Sequence, residues 1–221
     1  MTKYIQHKNN KKINFIQNKS VELSLFLSLP AAMALLIASE QITSSLFGYG
    51  SFDELSVKNS SYALFYFAIG LPAFALIKVF SSFLFAIHNT KTPFYISLIS
   101  VLINIGISLY YFGSLGFIII PIATTISSWI NALILLFFLI YKNFFTFKLE
   151  LFINLIRIII VTIISSFIFY SLITIFGEYL YYDSKFKLIV IILAIIITVI
   201  SYILVSIITK AFKLSDIKLK Y

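Results

Sequence analysis

The chain opens on a polar, basic stretch that lasts to Lys19 and then turns into long apolar runs separated by short polar breaks. Six such runs stand out. They extend from about Val21 to Phe47, Ser61 to Ile87, Phe94 to Phe112, Gly116 to Tyr141, Leu151 to Phe176 and Lys187 to Lys210. Each is long enough, at about 1.5 Å per helical residue, to cross a ~30 Å hydrocarbon core with some tilt. A strand reading of the Ile-rich runs fails on length, and membrane barrel strands would alternate polar with apolar residues, which these do not. The pattern predicts an all-α integral membrane protein with six transmembrane helices. It divides into a basic cytoplasmic segment over 1–20, four helices over 21–141, and two further helices with a basic tail over 142–221.

Composition supports this picture. Apolar residues make up 61% of the chain and charged residues 11%. A water-soluble domain of 221 residues could not hide that much apolar surface. The net charge is +9, which in a soluble protein would point to nucleic acid. Here the cations flank apolar runs, so they set orientation and meet anionic membrane lipids, and no nucleic-acid partner is expected. The basic start resembles a signal peptide, but the run after it is too long and lacks a small-residue cleavage site. There is no cysteine, which excludes disulfides and thiolate metal sites. The two histidines, His7 and His88, lie far apart and outside the apolar runs, so no metal site is expected.

The loops alternate in charge. Asp53, Glu54 and Lys58 share one loop, Lys91 holds the turn His88–Pro93, and the break at Gly113–Gly116 is neutral. Lys142 and Lys148 follow, then a mixed loop with Glu178, Asp183, Lys185 and Lys187, then a basic tail. Lysine and arginine in short loops favour the cytoplasm. Both termini, the Lys91 turn and the Lys142–Lys148 loop are therefore expected inside, with Lys185 and Lys187 weakening the case for the last hairpin.

A few polar groups fall at membrane depth. Lys78 sits ~22 Å below the outer end of its helix, which leaves it ~8 Å from the inner boundary. It either snorkels to the cytoplasmic headgroups or faces a cavity. Glu40 lies in the outer half of the first helix, ~12 Å from the depth of Lys78, too far for a ready pair. Pro30 and Pro72 fall inside helices, where each frees a backbone carbonyl and favours a kink. Asn104 and Asn131 are single amides in apolar runs. An interhelical hydrogen bond is the first expectation for each, ligand contact the second. Ala123 to Ser128 mark a close helix–helix face, and Trp129 lies deep enough to be a packing residue. No catalytic constellation is present: no phosphate-cradling glycine loop, no zinc-helix motif and no nucleophile–base set. The chain is expected to be no enzyme and to need no cofactor.

Three ordered blocks carry a family resemblance. They are LSLPAAMALLIASEQITSSLFGYGSF (Leu27–Phe52), GLPAFALIKVFSSFLFAIHNTKTPFYI (Gly70–Ile96) and GSLGFIIIPIATTISSWINALIL (Gly113–Leu135). Together they resemble the C-terminal part of the MurJ/MviN lipid II flippases, within the multidrug/oligosaccharidyl-lipid/polysaccharide exporter superfamily. The block LPAFALIKV…TKTP is the most specific. The last two helices match in position and hydropathy only.

The resemblance implies a fourteen-helix transporter of the bacterial inner membrane, of which this chain is similar to helices nine to fourteen. That makes it a partial transporter lobe with a C-terminal two-helix hairpin. It implies a lipid-linked peptidoglycan precursor as substrate, moved by alternating access, and a groove for the lipid tail on the last two helices. The family's central-cavity cations lie on helices without a counterpart here. Lys78 and Lys91 match positively charged positions of the family's tenth helix and following loop, outside that cavity. Transport is expected to need the missing N-terminal helices, for which a separately encoded N-terminal half is one source. The alternatives are export of another lipid-linked oligosaccharide and a non-transporting interaction module or remnant.

Overall fold

The structure, a computed structural model, describes residues 10–211. The expected basic tail beyond Ala211 and residues 1–9 lie outside the described residues. The elements are α1 (Asn10–Phe47), α2 (Glu54–Ala86), α3 (Lys91–Leu115), a 3-10 turn (Gly116–Ile118), α4 (Ile119–Tyr141), α5 (Leu149–Ile175), a second 3-10 turn (Gly177–Leu180) and α6 (Lys187–Ile208). The all-α class holds, and no strand occurs among the described residues.

The count of six separate spans takes one correction. Among the described residues five continuous helical stretches are long and apolar enough to cross a membrane, because Lys91–Tyr141 runs through its turn as one stretch of 51 residues. The expected break at Gly113–Gly116 stays helical to Leu115. The chain reverses only at Gly116, whose φ of 60° and ψ of −146° suit a residue without a Cβ. α3 and α4 then run antiparallel. Asn104 bonds Thr124, and two turns back on α3 and two turns on along α4, Ser97 meets Asn131.

Helix ends follow local chemistry. Asp53 accepts a hydrogen bond from the Ser56 amide at 2.8 Å, which caps α2 and starts it before the expected Ser61. α2 ends in a left-handed residue, His88 at φ 62°. Asn89 N–H reaches Leu84 O at 2.9 Å and His88 N–H reaches Phe85 O at 3.0 Å, so two orphan carbonyls are satisfied. Asn89 then opens α3, accepting from Thr92 N–H at 3.1 Å and donating to Thr92 Oγ1 at 2.9 Å. Pro93 is buried at the third helical position, where its missing N–H is one of the four that a helix leaves unpaired.

The described residues fall into two compact units, and α1 and α2 each run from one into the other. The first holds residues 10–28 and Ile69–Phe152. The basic start of the chain is part of it, since residues 10–20 continue α1 as helix. Gln17 and Asn18 are buried there and hold the loop after α4. Gln17 donates to Phe144 O at 2.8 Å. Asn18 donates to Thr146 O at 2.9 Å and accepts from Lys148 N–H at 3.0 Å. The loop's backbone is paired in this way although most of its side chains stay exposed. Phe145, 1% exposed, packs on Phe80 and Phe83 of α2 with ring centroids 6.3 and 6.2 Å away. Trp129 is more than packing: its indole N–H donates to Ile69 O at 3.1 Å.

The second unit holds Leu29–Ala68 and residues 153–211. Its core is Ala38, Phe169, Ile173, Leu180, Ile191 and Ala194, with Ala34, Ile37 and Leu172 against it. Small residues at these positions let helices approach closely. The departure from helical geometry in α1 falls at Ala38 (φ −130°, ψ 32°), eight residues after Pro30. Pro30 and Pro72 both lie inside helices whose own backbone stays helical around them. Large apolar side chains on α5 and α6, such as Ile163, Phe167, Ile200 and Leu204, point outward, as lipid contact requires.

Candidate functional site

Among the described residues, two of the clefts gather polar side chains. The first lies in the first unit, along the α3–α4 hairpin, and has a volume of about 240 Å³. Its walls are Ser97, Ser100, Val101 and Asn104 from α3 and Thr124, Ser127, Ser128 and Asn131 from α4. Asn104 donates to Thr124 Oγ1 at 3.0 Å and lies 3.4 Å from Ser127 Oγ. Asn131 donates to Ser97 Oγ at 3.5 Å. Its Oδ1 is buried without a partner, an arrangement that costs stability in an apolar setting. Hydroxyls that face the cleft also bond back to their own helix, as Ser128 does to Thr124 O at 2.7 Å. No lining group ionises near neutral pH, so the cleft can orient and hydrogen-bond but cannot transfer a proton.

The second cleft lies in the second unit and measures about 360 Å³. Glu40, Gln41 and Ser44 of α1, Glu54 and Val57 of α2, and Gly177, Leu180, Tyr181 and Tyr182 line it. Behind Ser44 and Tyr182 lies Lys187, 1% exposed. Its Nζ donates to Gly48 O at 2.7 Å and to Tyr182 O at 2.6 Å. The rings of Tyr49 and Tyr182 stand 4.4 and 4.6 Å from it, close enough for cation–π attraction. At the mouth of α2, the Ser56 hydroxyl and then the Ser56 amide hold the Asp53 carboxyl below the usual carboxylate range.

The structure thus brings Asn104 and Asn131 into one cleft and places Glu40 in the other. Lys78 is exposed on α2, two turns from its end at Ala86, or about 12 Å along the axis. It joins neither cleft, and no carboxylate pairs with it among the described residues. Lys91 is exposed at the first position of α3. Lys187, Asn18 and Gln17 were missed by the sequence reading. Phe144 and Thr146, which Gln17 and Asn18 hold, and Gly48, which Lys187 holds, each stand more than 120 positions away, and the sequence reading weighed Lys187 only as a loop cation. Among the described residues no group of three or more His, Cys, Asp or Glu could hold a metal ion.

The comparisons with known proteins bear on this geometry. A family model described as lipid II flippase MurJ matches residues 1–191. The chain belongs to the lipid II flippase MurJ family. A probable lipid II flippase MurJ of Rhizobium meliloti (strain 1021) is 42% identical over 128 residues, covering 58% of this chain and 24% of that protein. One from Rickettsia prowazekii (strain Madrid E) is 39% identical over 116 residues, covering 52% of this chain and 23% of that protein. A solved structure of lipid II flippase MurJ in an inward closed conformation superposes with a TM-score of 0.74 at 26% identity. It covers 92% of this chain and 40% of that one. The chain therefore spans about a quarter of the length of these curated MurJ relatives.

Proposed function

We propose that this chain supplies the C-terminal helices of a lipid II flippase. In this reading it helps carry a lipid-linked peptidoglycan precursor across the bacterial inner membrane by alternating access, without making or breaking bonds. The observation that carries the proposal is the family match over residues 1–191 together with a backbone that follows 40% of a MurJ structure. The charges that grip the substrate are assigned to helices outside this chain, since neither cleft offers a free cation to a pyrophosphate. Asn104 and Asn131 are proposed as coupling residues that keep α3 and α4 in register as the transporter changes state. Lys78 and Lys91 are proposed as cytoplasmic-side anchors for anionic headgroups, and Glu40 as a polar group at the opposite opening. Both termini are proposed to be cytoplasmic.

The experiment is complementation of a bacterium depleted of its flippase. This chain alone is expected to give no growth. Co-expression with an N-terminal half that supplies the missing helices is expected to restore it. Growth with the chain alone would remove the claim that the N-terminal helices are indispensable. Failure of the combined halves, with both present in the membrane, would favour the non-transporting module.

A further inference from the structure

A lysine at the start of a membrane helix ordinarily extends its ammonium into water. Lys187 does the opposite. Besides the Gly48 and Tyr182 carbonyls, its Nζ lies 3.5 Å from Ser44 Oγ, and no carboxylate pairs with it among the described residues. Gly48 follows the last residue of α1, where unpaired carbonyls concentrate the negative end of the helix dipole. Tyr182 belongs to the segment between α5 and α6. One ammonium, 139 positions after Gly48, thus ties the end of α1 to the segment that precedes α6.

Three other contacts join the same two segments. The Tyr182 hydroxyl donates to Phe52 O at 2.8 Å. Ser45 Oγ donates to the Lys187 carbonyl at 3.2 Å. A Cβ on Gly48 would stand 3.0 Å from the Tyr182 ring, so the ring seats where a side chain is missing. The stretch 177–186 also forms a wall of the 360 Å³ cleft through Gly177, Leu180, Tyr181 and Tyr182. Across that cleft stand Glu40 and Glu54, with Val57, only 2% exposed, among the lining.

We propose that residues 177–186 are a strap across this cleft and that Lys187 is the pin that holds it shut. The pin works because a compact ammonium satisfies two carbonyls and two ring faces at once. A methionine fills the space and satisfies neither carbonyl. A planar guanidinium is too wide for contacts this short. Lys187 is a positioning residue, acting on the cleft through Tyr182 and Ser44.

The test uses the full chain in detergent, where membrane orientation plays no part. The sequence has no cysteine, so V57C is a lone thiol. Maleimide is expected to modify V57C roughly tenfold faster in a K187M background and in K187R, as a locally opened segment exposes what it covered. E178C, on an exposed residue of the strap, is expected to react at one rate in all backgrounds. Y182F removes only the hydroxyl bond to Phe52 and is expected to give a smaller rise. Lysine acetylation read by mass spectrometry supplies the second measurement. In the unmutated chain Lys185, which is exposed, reacts and Lys187 is spared, and Y182F makes Lys187 reactive. Should K187M fail to fold, Y182F and the acetylation pattern decide. Unchanged V57C labelling in Y182F and the lysine variants, or equal acetylation of Lys185 and Lys187 without mutation, overturns the strap.

Discussion

Single side chains settle where this chain's buried backbone goes. Asn18 occupies the place of a missing neighbour strand for the loop after α4, with one amide pairing Thr146 O and Lys148 N–H. Asn18→Ala removes both bonds from partly buried backbone groups, at a cost of about 0.5–1.5 kcal/mol for each. The expected readout is a lower thermal midpoint in detergent and earlier protease cleavage between Lys142 and Lys148. Asp53 offers a milder case. Its carboxyl is held below the usual range, so the cap contributes above the ordinary carboxylate pKa and is lost as pH falls through the lowered value. Hydrogen exchange at the Ser56 amide is expected to lose protection on acidification in the native chain. In Asp53→Asn the cap is kept and that dependence on pH disappears. The Asp53 cap was not read from the sequence, where Asp53 stood only as one charge of a loop and the helix was expected to start at Ser61. The clasp made by Asn18 was not read either, because nothing local to Asn18 announces a partner 128 positions away.

Elements were legible where apolar length decides, and less so where packing decides. The starts and stops of α3 through α6 stand close to their apolar boundaries, because hydrocarbon-crossing length is written in composition. α1 was harder. Its polar first turns read as a basic cytoplasmic segment ahead of the membrane helix, and from Asn10 on they are continuous with it because Gln17 and Asn18 pack against a loop far along the chain. Its break drew attention to Pro30, while the departure from helical geometry falls at Ala38, a residue type with the highest helix propensity. Packing overrides propensity there: Ala38 is fully buried beside Phe169, Ile191 and Ala194, with no room for a longer side chain. Ala38→Leu is expected to cost about 1–3 kcal/mol through overpacking. The interhelical role of Asn104, by contrast, was the first expectation for a lone amide in an apolar run. Asn104→Leu removes its bonds to Thr124 and Ser127 and is expected to weaken the hairpin by about 0.6–1.7 kcal/mol, measured as the reversible unfolding free energy in micelles.

For the whole molecule the open quantity is orientation, and the structure changes how the cations should be weighed. Lys185 and Lys187 were the two residues that spoke against placing the last loop outside. Lys187 is enclosed by carbonyls and rings, so in the folded protein it presents no free charge at that face. Only Lys185 remains exposed there, beside exposed Glu178 and Asp183. Lys91 and Lys142 are both exposed, as cations facing an anionic leaflet should be. Lys19 counts for less, since it pairs with Glu22 one turn on. On that balance we propose that Lys91 and Lys142 face the cytoplasm and the loops after α1, α3 and α5 face outside. In intact cells, a cysteine at Ser114 or Ser56 is then expected to react with a membrane-impermeant maleimide, Ser114 faster because it is exposed where Ser56 is half-buried. A cysteine at Thr90, exposed on the turn between α2 and α3, is expected to react only after the cells are opened. The reverse pattern would invert every loop assignment while leaving the strap and its detergent test untouched, since the bonds of Lys187 do not depend on which side of the membrane they face.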